Sequence, residues 1–180
     1  MITSTQKAFA LPPGLAVAVI SDAAMEKTKS VKNKGYYFNF EVMLKKFEKA
    51  KQHPTTPAVP LLYAMDMQLD IMLKEGMQAR YERHVKMQKL VHEWVKKRGF
   101  ELFAEKGYES VTVTTVANTL GISVKELNDE LVKRGLRISN GYGELKEKTF
   151  RIAHMGELSP TDIMGLLDTI DEILEERGVY

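Results

Sequence analysis

Apolar positions in the first third of the chain form one short continuous run and one helical pattern. Leu15 to Ile20 is an uninterrupted apolar run between Gly14 and Ser21. Such a run predicts a buried strand, of the kind found in parallel sheets that are covered on both faces. Phe40 to Lys51 has apolar residues at the spacing of one helix face, and the lysine-rich stretch from Lys27 to Lys34 predicts a solvated connector.

A long helical pattern occupies the middle of the chain. It runs from Leu61 to Arg98 and follows a loop that Pro54 and Pro57 predict. We expect a break at Gly76, because a helix of this length is unusual without one. The second helix should end at Gly99, since glycine commonly follows the last residue of a helix.

The last third of the chain alternates between strand and helix patterns. Phe100 to Phe103 and the Val- and Thr-rich stretch Val111 to Val116 predict strands. Two further short strands are expected at Leu136 to Ser139 and at Thr149 to His154, around a glycine-rich turn from Asn140 to Gly143.

Two helices complete this part of the chain. Ser123 and Glu126 have the spacing of a capping box and predict the start of a helix that closes at Gly135. Ser159 is expected to cap the final helix, with Pro160 at its first position. The order strand–strand–helix–strand–strand–helix predicts an α+β sandwich, with helices packed on one small sheet.

Composition narrows the functional classes. The chain has 180 residues, 44% of them hydrophobic, and a net charge of +2 from 26 basic and 24 acidic residues. That balance gives no electrostatic reason to expect nucleic acid or a membrane as a partner. The absence of cysteine excludes disulfides and thiol catalysis. Together with the lack of a signal-peptide pattern, it leads us to expect a soluble, cytoplasmic protein.

Lys7 lies in the motif with the most specific chemistry. Thr3-Ser4-Thr5-Gln6-Lys7 is followed by a Pro-Pro-Gly turn that ends at Gly14. This segment resembles the cofactor-lysine segment of the class V pyridoxal-phosphate-dependent aminotransferases, the branch that contains alanine–glyoxylate and serine–pyruvate aminotransferases. That family usually has Thr-Gly-Ser-Gln-Lys, so Ser4 in place of glycine is a departure.

The resemblance covers essentially the whole chain and implies the C-terminal half of a fold-type I enzyme. The implied fold class is α+β (α/β). The chain would consist of the small C-terminal domain, preceded by the last strand and the connecting helices of the large domain. Residues 1–60 would then be the remnant of the large domain with the cofactor lysine and a linker, and residues 61–180 the small domain. The resemblance also implies pyridoxal 5′-phosphate as cofactor and a homodimer or higher assembly.

The resemblance assigns roles to residues near Lys7. Lys7 would form a Schiff base with the cofactor aldehyde, and the amine would later carry a proton as a general acid and base. Gln6 would contact the cofactor phosphate. Thr56, which precedes Pro57, would reach the phosphate of the neighbouring subunit. The alternatives are an exposed lysine on a frayed terminus for Lys7 and a helix N-cap for Thr56.

Arg151 is the candidate substrate-binding residue. It follows Phe150 and precedes Ile152, and an arginine in a similar strand binds the substrate α-carboxylate in the family. The planar guanidinium suits this role because it makes two parallel, charge-assisted hydrogen bonds to a carboxylate. The alternative is an arginine on the solvent face of a strand. No metal site is predicted, since His84 and His92 are too far apart in sequence for a zinc pair on a helix.

Two functions are compatible with these residues. The first is the C-terminal fragment of an aminotransferase that moves an amino group from alanine, serine or aspartate to a short keto acid such as glyoxylate or pyruvate. The second is a non-catalytic dimerisation or interaction module with the same fold. In the family the pyridine-nitrogen partner precedes the lysine. The isolated chain is therefore expected to be incomplete and inactive, and a separate N-terminal half is a possible partner.

Overall fold

The computed structural model describes all 180 residues, which form two compact units, Met1–Ile71 and Met72–Tyr180. The helices are α1 (Asp22–Ser30), α2 (Phe40–Ala50), α3 (Val59–Glu75), α4 (Met77–Lys97), α5 (Val124–Lys133) and α6 (Pro160–Glu176). The strands are β1 (Ile2–Ser4), β2 (Ala16–Ala18), β3 (Glu101–Leu102), β4 (Val113–Ala117), β5 (Ser139–Asn140) and β6 (Thr149–Ala153). None of the helices combines the length and the apolar character that crossing a membrane would require.

A two-stranded antiparallel ribbon begins the N-terminal unit. β1 pairs with β2 so that Ile2 lies opposite Ala18 and Ser4 opposite Ala16. β2 lies inside the apolar run that predicted a buried strand, but its residues are exposed or half-buried and β1 is its only strand neighbour. The prediction of a buried, parallel strand is therefore wrong for this chain, because nothing in the chain covers both faces of the ribbon.

Helix α1 replaces part of the connector expected at Lys27 to Lys34. Its N-cap is Ser21, whose hydroxyl accepts a hydrogen bond from the Ala24 amide at 3.3 Å. The helix has no buried residue, so no apolar face marks it in the sequence. A cap and local backbone bonding define it instead. Helix α2 occupies the range predicted from its periodicity and is capped by Asn39.

The C-terminal unit is the predicted α+β sandwich. Its four strands are antiparallel in the order β3-β4-β6-β5. Phe150 and Ile152 of β6 are fully buried in the hydrophobic core, to which helices α4, α5 and α6 also contribute. The Phe100 ring stacks on Trp94 at 5.5 Å and meets Phe150 edge-on at 5.4 Å between centroids.

Helix boundaries in this unit follow the predicted signals. Gly76 separates α3 from α4 with a φ of 85°, a conformation that glycine adopts without a steric cost. Ser159 forms a full capping box with Asp162, and Pro160 is the first residue of α6. The box predicted at Ser123 is only half formed: its hydroxyl accepts from the Glu126 amide at 3.2 Å, whereas the Glu126 carboxylate accepts from Arg177.

Candidate functional site

A hydrogen-bonded loop carries Lys7 in the N-terminal unit. Thr5 anchors this loop and is fully buried. Its hydroxyl donates to the carbonyl oxygen of Pro12 at 2.8 Å. Its amide donates to Leu15 at 3.2 Å, and its carbonyl accepts from the Leu11 amide at 3.1 Å. The contacts of Thr5 therefore close the loop that connects β1 to β2.

Lys7 lies at the exposed end of this loop. Its carbonyl oxygen accepts from the Ala10 amide at 2.9 Å, and Ala10 has a positive φ of 54° that tightens the turn. The side chains of Gln6 and Lys7 are both exposed. A primary amine and an amide thus project from a loop whose base is fixed, so Lys7 does not lie on a frayed terminus.

Thr56 lies in the exposed loop that precedes α3. The helix begins at Val59, and the carbonyl of Ala58 accepts from the amides of Leu61 and Leu62 at 2.9 and 3.2 Å. Ala58 therefore occupies the N-cap position, and the interpretation of Thr56 as the helix cap is wrong. Its hydroxyl is left on an exposed loop, where a ligand can reach it.

Arg151 lies at the centre of β6, with Thr115 and Ser139 opposite it on the neighbouring strands. Its neighbours Phe150 and Ile152 are fully buried in the core. Because side chains alternate along a strand, Arg151 points to the other face of the sheet. This face is not fully solvated at Arg151, since its Nε atom is buried and has no hydrogen-bond partner.

Two residues of the glycine-rich turn contact the Arg151 guanidinium. Its Nη2 donates to the carbonyl oxygen of Asn140 at 3.1 Å. The ring of Tyr142 lies against the guanidinium, with 4.1 Å between its centroid and the Cζ atom. Tyr142 is not among the site residues that the sequence predicts. The signal that could have found it is the glycine on either side of it, which marks a turn next to the strand of Arg151.

An ion-pair network fixes the segment that follows β6. Glu75 accepts from Arg80 at 2.8 Å and from Arg83 at 2.6 and 3.0 Å. Arg83 also donates to the carbonyl oxygens of Gly156 and Leu158. The hydrogen bond from Arg83 is the main cause that lowers the pKa of Glu75 to about 2. The network ties the break between α3 and α4 to the end of the strand that carries Arg151.

Two histidines of the C-terminal unit, His154 and His84, are held in structural positions. His154 is fully buried, and its Nε2 lies 2.8 Å from the Thr114 hydroxyl. Burial is the main cause that lowers the pKa of His154 to about 4. His84 is also buried, with its Nδ1 2.7 Å from the carbonyl oxygen of Arg80. No group of three or more metal-ligating side chains could hold an ion.

The candidate residues thus form two groups. Gln6, Lys7 and Thr56 belong to the N-terminal unit, where all three are exposed. Arg151, with Asn140 and Tyr142, belongs to the C-terminal unit. The first group offers an amine and neutral hydrogen-bonding groups, and the second offers a guanidinium held by its surroundings. An amine can condense with an aldehyde, neutral hydrogen-bonding groups can bind a phosphate, and a guanidinium can bind a carboxylate.

Comparisons with known proteins show which enzymes the chain resembles. The chain is 35% identical to an uncharacterized aminotransferase of Methanocaldococcus jannaschii over 98% of its length, and 30% identical to serine–glyoxylate aminotransferase of Arabidopsis thaliana. A crystal structure of pyridoxamine–pyruvate aminotransferase from Mesorhizobium loti superimposes with a TM-score of 0.88, at 27% identity, over 98% of this chain and 46% of that one. No protein-family model matches the chain. The chain spans about half the length of the curated relatives it matches.

Proposed function

The chain belongs to the class V pyridoxal-phosphate-dependent aminotransferases, and we propose that it is the half of such an enzyme that carries the cofactor lysine and the substrate-binding arginine. The observation that carries the proposal is Lys7, whose amine is exposed on a loop that the buried Thr5 closes. A fixed loop with an exposed amine suits covalent attachment, because the amine can reach an aldehyde without a reordering of its backbone.

Lys7 would have two functions in the complete enzyme. Its amine would hold the cofactor, and once an amino-acid substrate has displaced it, the same amine would remove the proton from the substrate α-carbon. The cofactor, when bound, supplies the electron sink for that deprotonation. The fixed loop is suited to this proton transfer, because a general base must lie within hydrogen-bond reach of the proton it removes.

Gln6 and Thr56 fit the phosphate end of the cofactor. The Gln6 amide and the Thr56 hydroxyl are both exposed and neutral, and each can donate a hydrogen bond to a phosphate oxygen. We propose that Gln6 binds the phosphate beside its own Lys7, and that Thr56 reaches the phosphate bound by a second subunit. His53, which stands where the family often has an aromatic residue, has an exposed side chain as well.

Arg151 fits the substrate end. The contact with Asn140 uses one Nη2 hydrogen, and the buried Nε atom has no partner in the chain. The planar guanidinium offers pairs of parallel N–H donors, and a carboxylate can accept from two of them together. Every amino-acid substrate and keto-acid product carries such a carboxylate, so Arg151 would serve both half-reactions.

The proposed substrates are those of similar enzymes. The similar enzymes are named for serine, glyoxylate and pyruvate. We therefore propose that the complete enzyme transfers an amino group from a small amino acid, such as alanine, serine or aspartate, to a short keto acid such as glyoxylate or pyruvate. In that enzyme residues 1–60 would belong to the large domain and residues 61–180 to the small one.

We also propose that the enzyme is a homodimer or a larger assembly. The N-terminal unit exposes large apolar side chains, among them Phe38 at 76%, Tyr63 at 72% and Met67 at 67%. Exposed apolar surface of this kind is typical of protein–protein contacts. Light scattering on the complete enzyme should give a mass of at least two protomers, and a single protomer mass at micromolar concentration would contradict this part of the proposal.

Borohydride labelling tests the function itself. The chain would be joined to, or expressed with, the half of the enzyme that precedes the lysine in the relatives. It would then be loaded with pyridoxal phosphate and reduced. Peptide mapping should find the cofactor on Lys7. Lys7→Arg should abolish both labelling and turnover, whereas Lys46→Arg, at an exposed lysine of α2, should change neither. Labelling elsewhere, or none, would leave the interaction module as the better description.

A further inference from the structure

The guanidinium of Arg151 is held by a turn that contributes nothing to the core. Tyr142 is 77% exposed, yet its ring lies against the guanidinium with its centroid 4.1 Å from Cζ. Burial of the ring does not explain this position, because most of its surface stays accessible. The contact has the geometry of a cation–π interaction, in which a cation lies over the face of an aromatic ring.

The turn that presents Tyr142 is fixed from both sides. The Asn140 side-chain oxygen accepts from the amides of Gly141 at 2.8 Å and Glu147 at 2.9 Å. Glu147 in turn accepts from the Val124 amide at 2.8 Å, at the start of α5. A side chain at Gly141 would not fit, since a Cβ there would lie 2.1 Å from the carbonyl oxygen of Leu145. The turn can therefore hold Tyr142 and the Asn140 carbonyl in one position.

We propose that Tyr142 is a positioning residue that fixes the guanidinium plane of Arg151 for the substrate carboxylate. The inference rests on the proposed function of Arg151. With one face against the ring and Nη2 bonded to Asn140, rotation and tilt of the guanidinium are restricted. Its plane then keeps one orientation, which is what a two-bond contact with a planar carboxylate requires.

This role differs in its consequences from a structural one. A residue that only stabilised the fold would change the unfolding temperature and leave carboxylate affinity unchanged. A residue that positions Arg151 should change the affinity for every carboxylate that Arg151 binds, amino acid and keto acid alike. It should have a smaller effect on kcat, because the contact is made to a group that does not change during the reaction.

Binding of propionate to the complete, cofactor-loaded enzyme tests the proposal without turnover. Propionate has a carboxylate but neither an amino nor a keto group, so calorimetry reports affinity alone. Tyr142→Leu should raise the Kd for propionate, and the KM for both substrates, by about two- to fivefold, the range expected for loss of an exposed cation–π contact. Tyr142→Phe keeps the ring and should stay within about twofold. Tyr142→Gln provides a second ring-free variant.

Two further variants separate this inference from the proposed function. Tyr108→Leu, at another exposed tyrosine of the same unit (82% exposed), should leave propionate affinity unchanged. If Arg151→Ala weakens propionate binding and both ring-free variants do not, the positioning role of Tyr142 is wrong and the carboxylate site stands. If Arg151→Ala has no effect either, the carboxylate site itself is wrong.

Discussion

The hydroxyl of Thr5 donates a hydrogen bond to the carbonyl oxygen of Pro12 at 2.8 Å, and this contact closes the loop that carries Lys7. Thr5 is the only fully buried residue of the first ten. The hydroxyl also lies 3.4 Å from the carbonyl oxygen of Leu15. A residue that had no assigned function in the sequence thus fixes both ends of the loop around the proposed catalytic lysine.

Thr5→Val should loosen this loop. Valine has nearly the same shape but no hydroxyl, so the hydrogen bond to the carbonyl of the exposed Pro12 would be lost, at a cost of about 0.5–1.5 kcal/mol. Hydrogen exchange of the Leu11 amide, which donates to the Thr5 carbonyl, should become faster. Cofactor affinity of the complete enzyme should fall. Thr5→Ser keeps the hydroxyl and is the control. Equal exchange in the valine and serine variants would show that the hydroxyl does not hold the loop.

Arg83 should contribute more to stability than the exposed ion pairs do. Its side chain is 18% exposed and bonds Glu75, and its guanidinium also donates to the carbonyls of Gly156 and Leu158. Arg83→Ala would remove the donor from both carbonyls and leave Glu75 with Arg80 alone, and we expect a loss of about 2 kcal/mol in the free energy of unfolding.

Lys125→Ala is the matched control for Arg83. Lys125 pairs with Asp129 on α5 at 75% and 57% exposure, and such exposed pairs contribute little to stability. Urea unfolding of both variants gives the comparison. Equal losses would show that the carbonyl contacts of Arg83 add nothing beyond an ordinary surface pair.

The sequence predicted the C-terminal unit better than the N-terminal one, for a physical reason. Ser159 and Gly76 mark helix ends through their local backbone and capping contacts. The apolar positions of this unit are buried by other residues of the same chain, so their periodicity corresponds to real packing. The run from Leu15 to Ile20 has the composition of a buried strand, but this chain contains nothing that covers it. Helix α1 has no buried residue and therefore left no apolar period to detect.

The residues of the candidate site also differ in how well the sequence predicted them. Lys7, Gln6 and Arg151 were selected from a motif or from strand context. The residues that hold them, Thr5 and Tyr142, act through contacts that connect separate parts of the chain, and such contacts leave no local pattern. Only the glycines around Tyr142 marked its turn in advance.

Two glycine substitutions should have opposite effects on stability. Gly141→Ala would place a Cβ at 2.1 Å from the Leu145 carbonyl oxygen, so the turn would have to shift, at about 1–3 kcal/mol. Gly165→Ala lies within α6, where a Cβ meets nothing within 4 Å, and should stabilise the protein by about 0.5–1 kcal/mol. Thermal unfolding of the two variants shows whether each substitution lowers or raises stability. A stable Gly141→Ala variant with unchanged propionate affinity would show that the turn has more room than the structure indicates.

His154 should make the protein less stable in mild acid. Its side chain is fully buried, and burial, with a smaller contribution from His92 and His84, lowers its pKa from 6.5 to about 4. The unfolded chain therefore binds more protons than the folded one between these two values. The stability that neutral His154 contributes is complete above about pH 6.5 and falls as the pH decreases toward 4.

Between pH 7 and pH 5 this difference in proton binding amounts to about 2 kcal/mol. Urea unfolding at the two pH values should show that loss in the unmodified protein. His154→Gln removes the titrating group. It should lower stability at pH 7, because the imidazole contact with Thr114 is lost, but it should reduce the pH dependence in this range. The dependence that remains is expected from His92, whose pKa burial also lowers. His53→Gln, at an exposed histidine, should keep the full pH dependence. A His154→Gln variant that loses as much stability as the unmodified protein between pH 7 and pH 5 would show that another group is responsible.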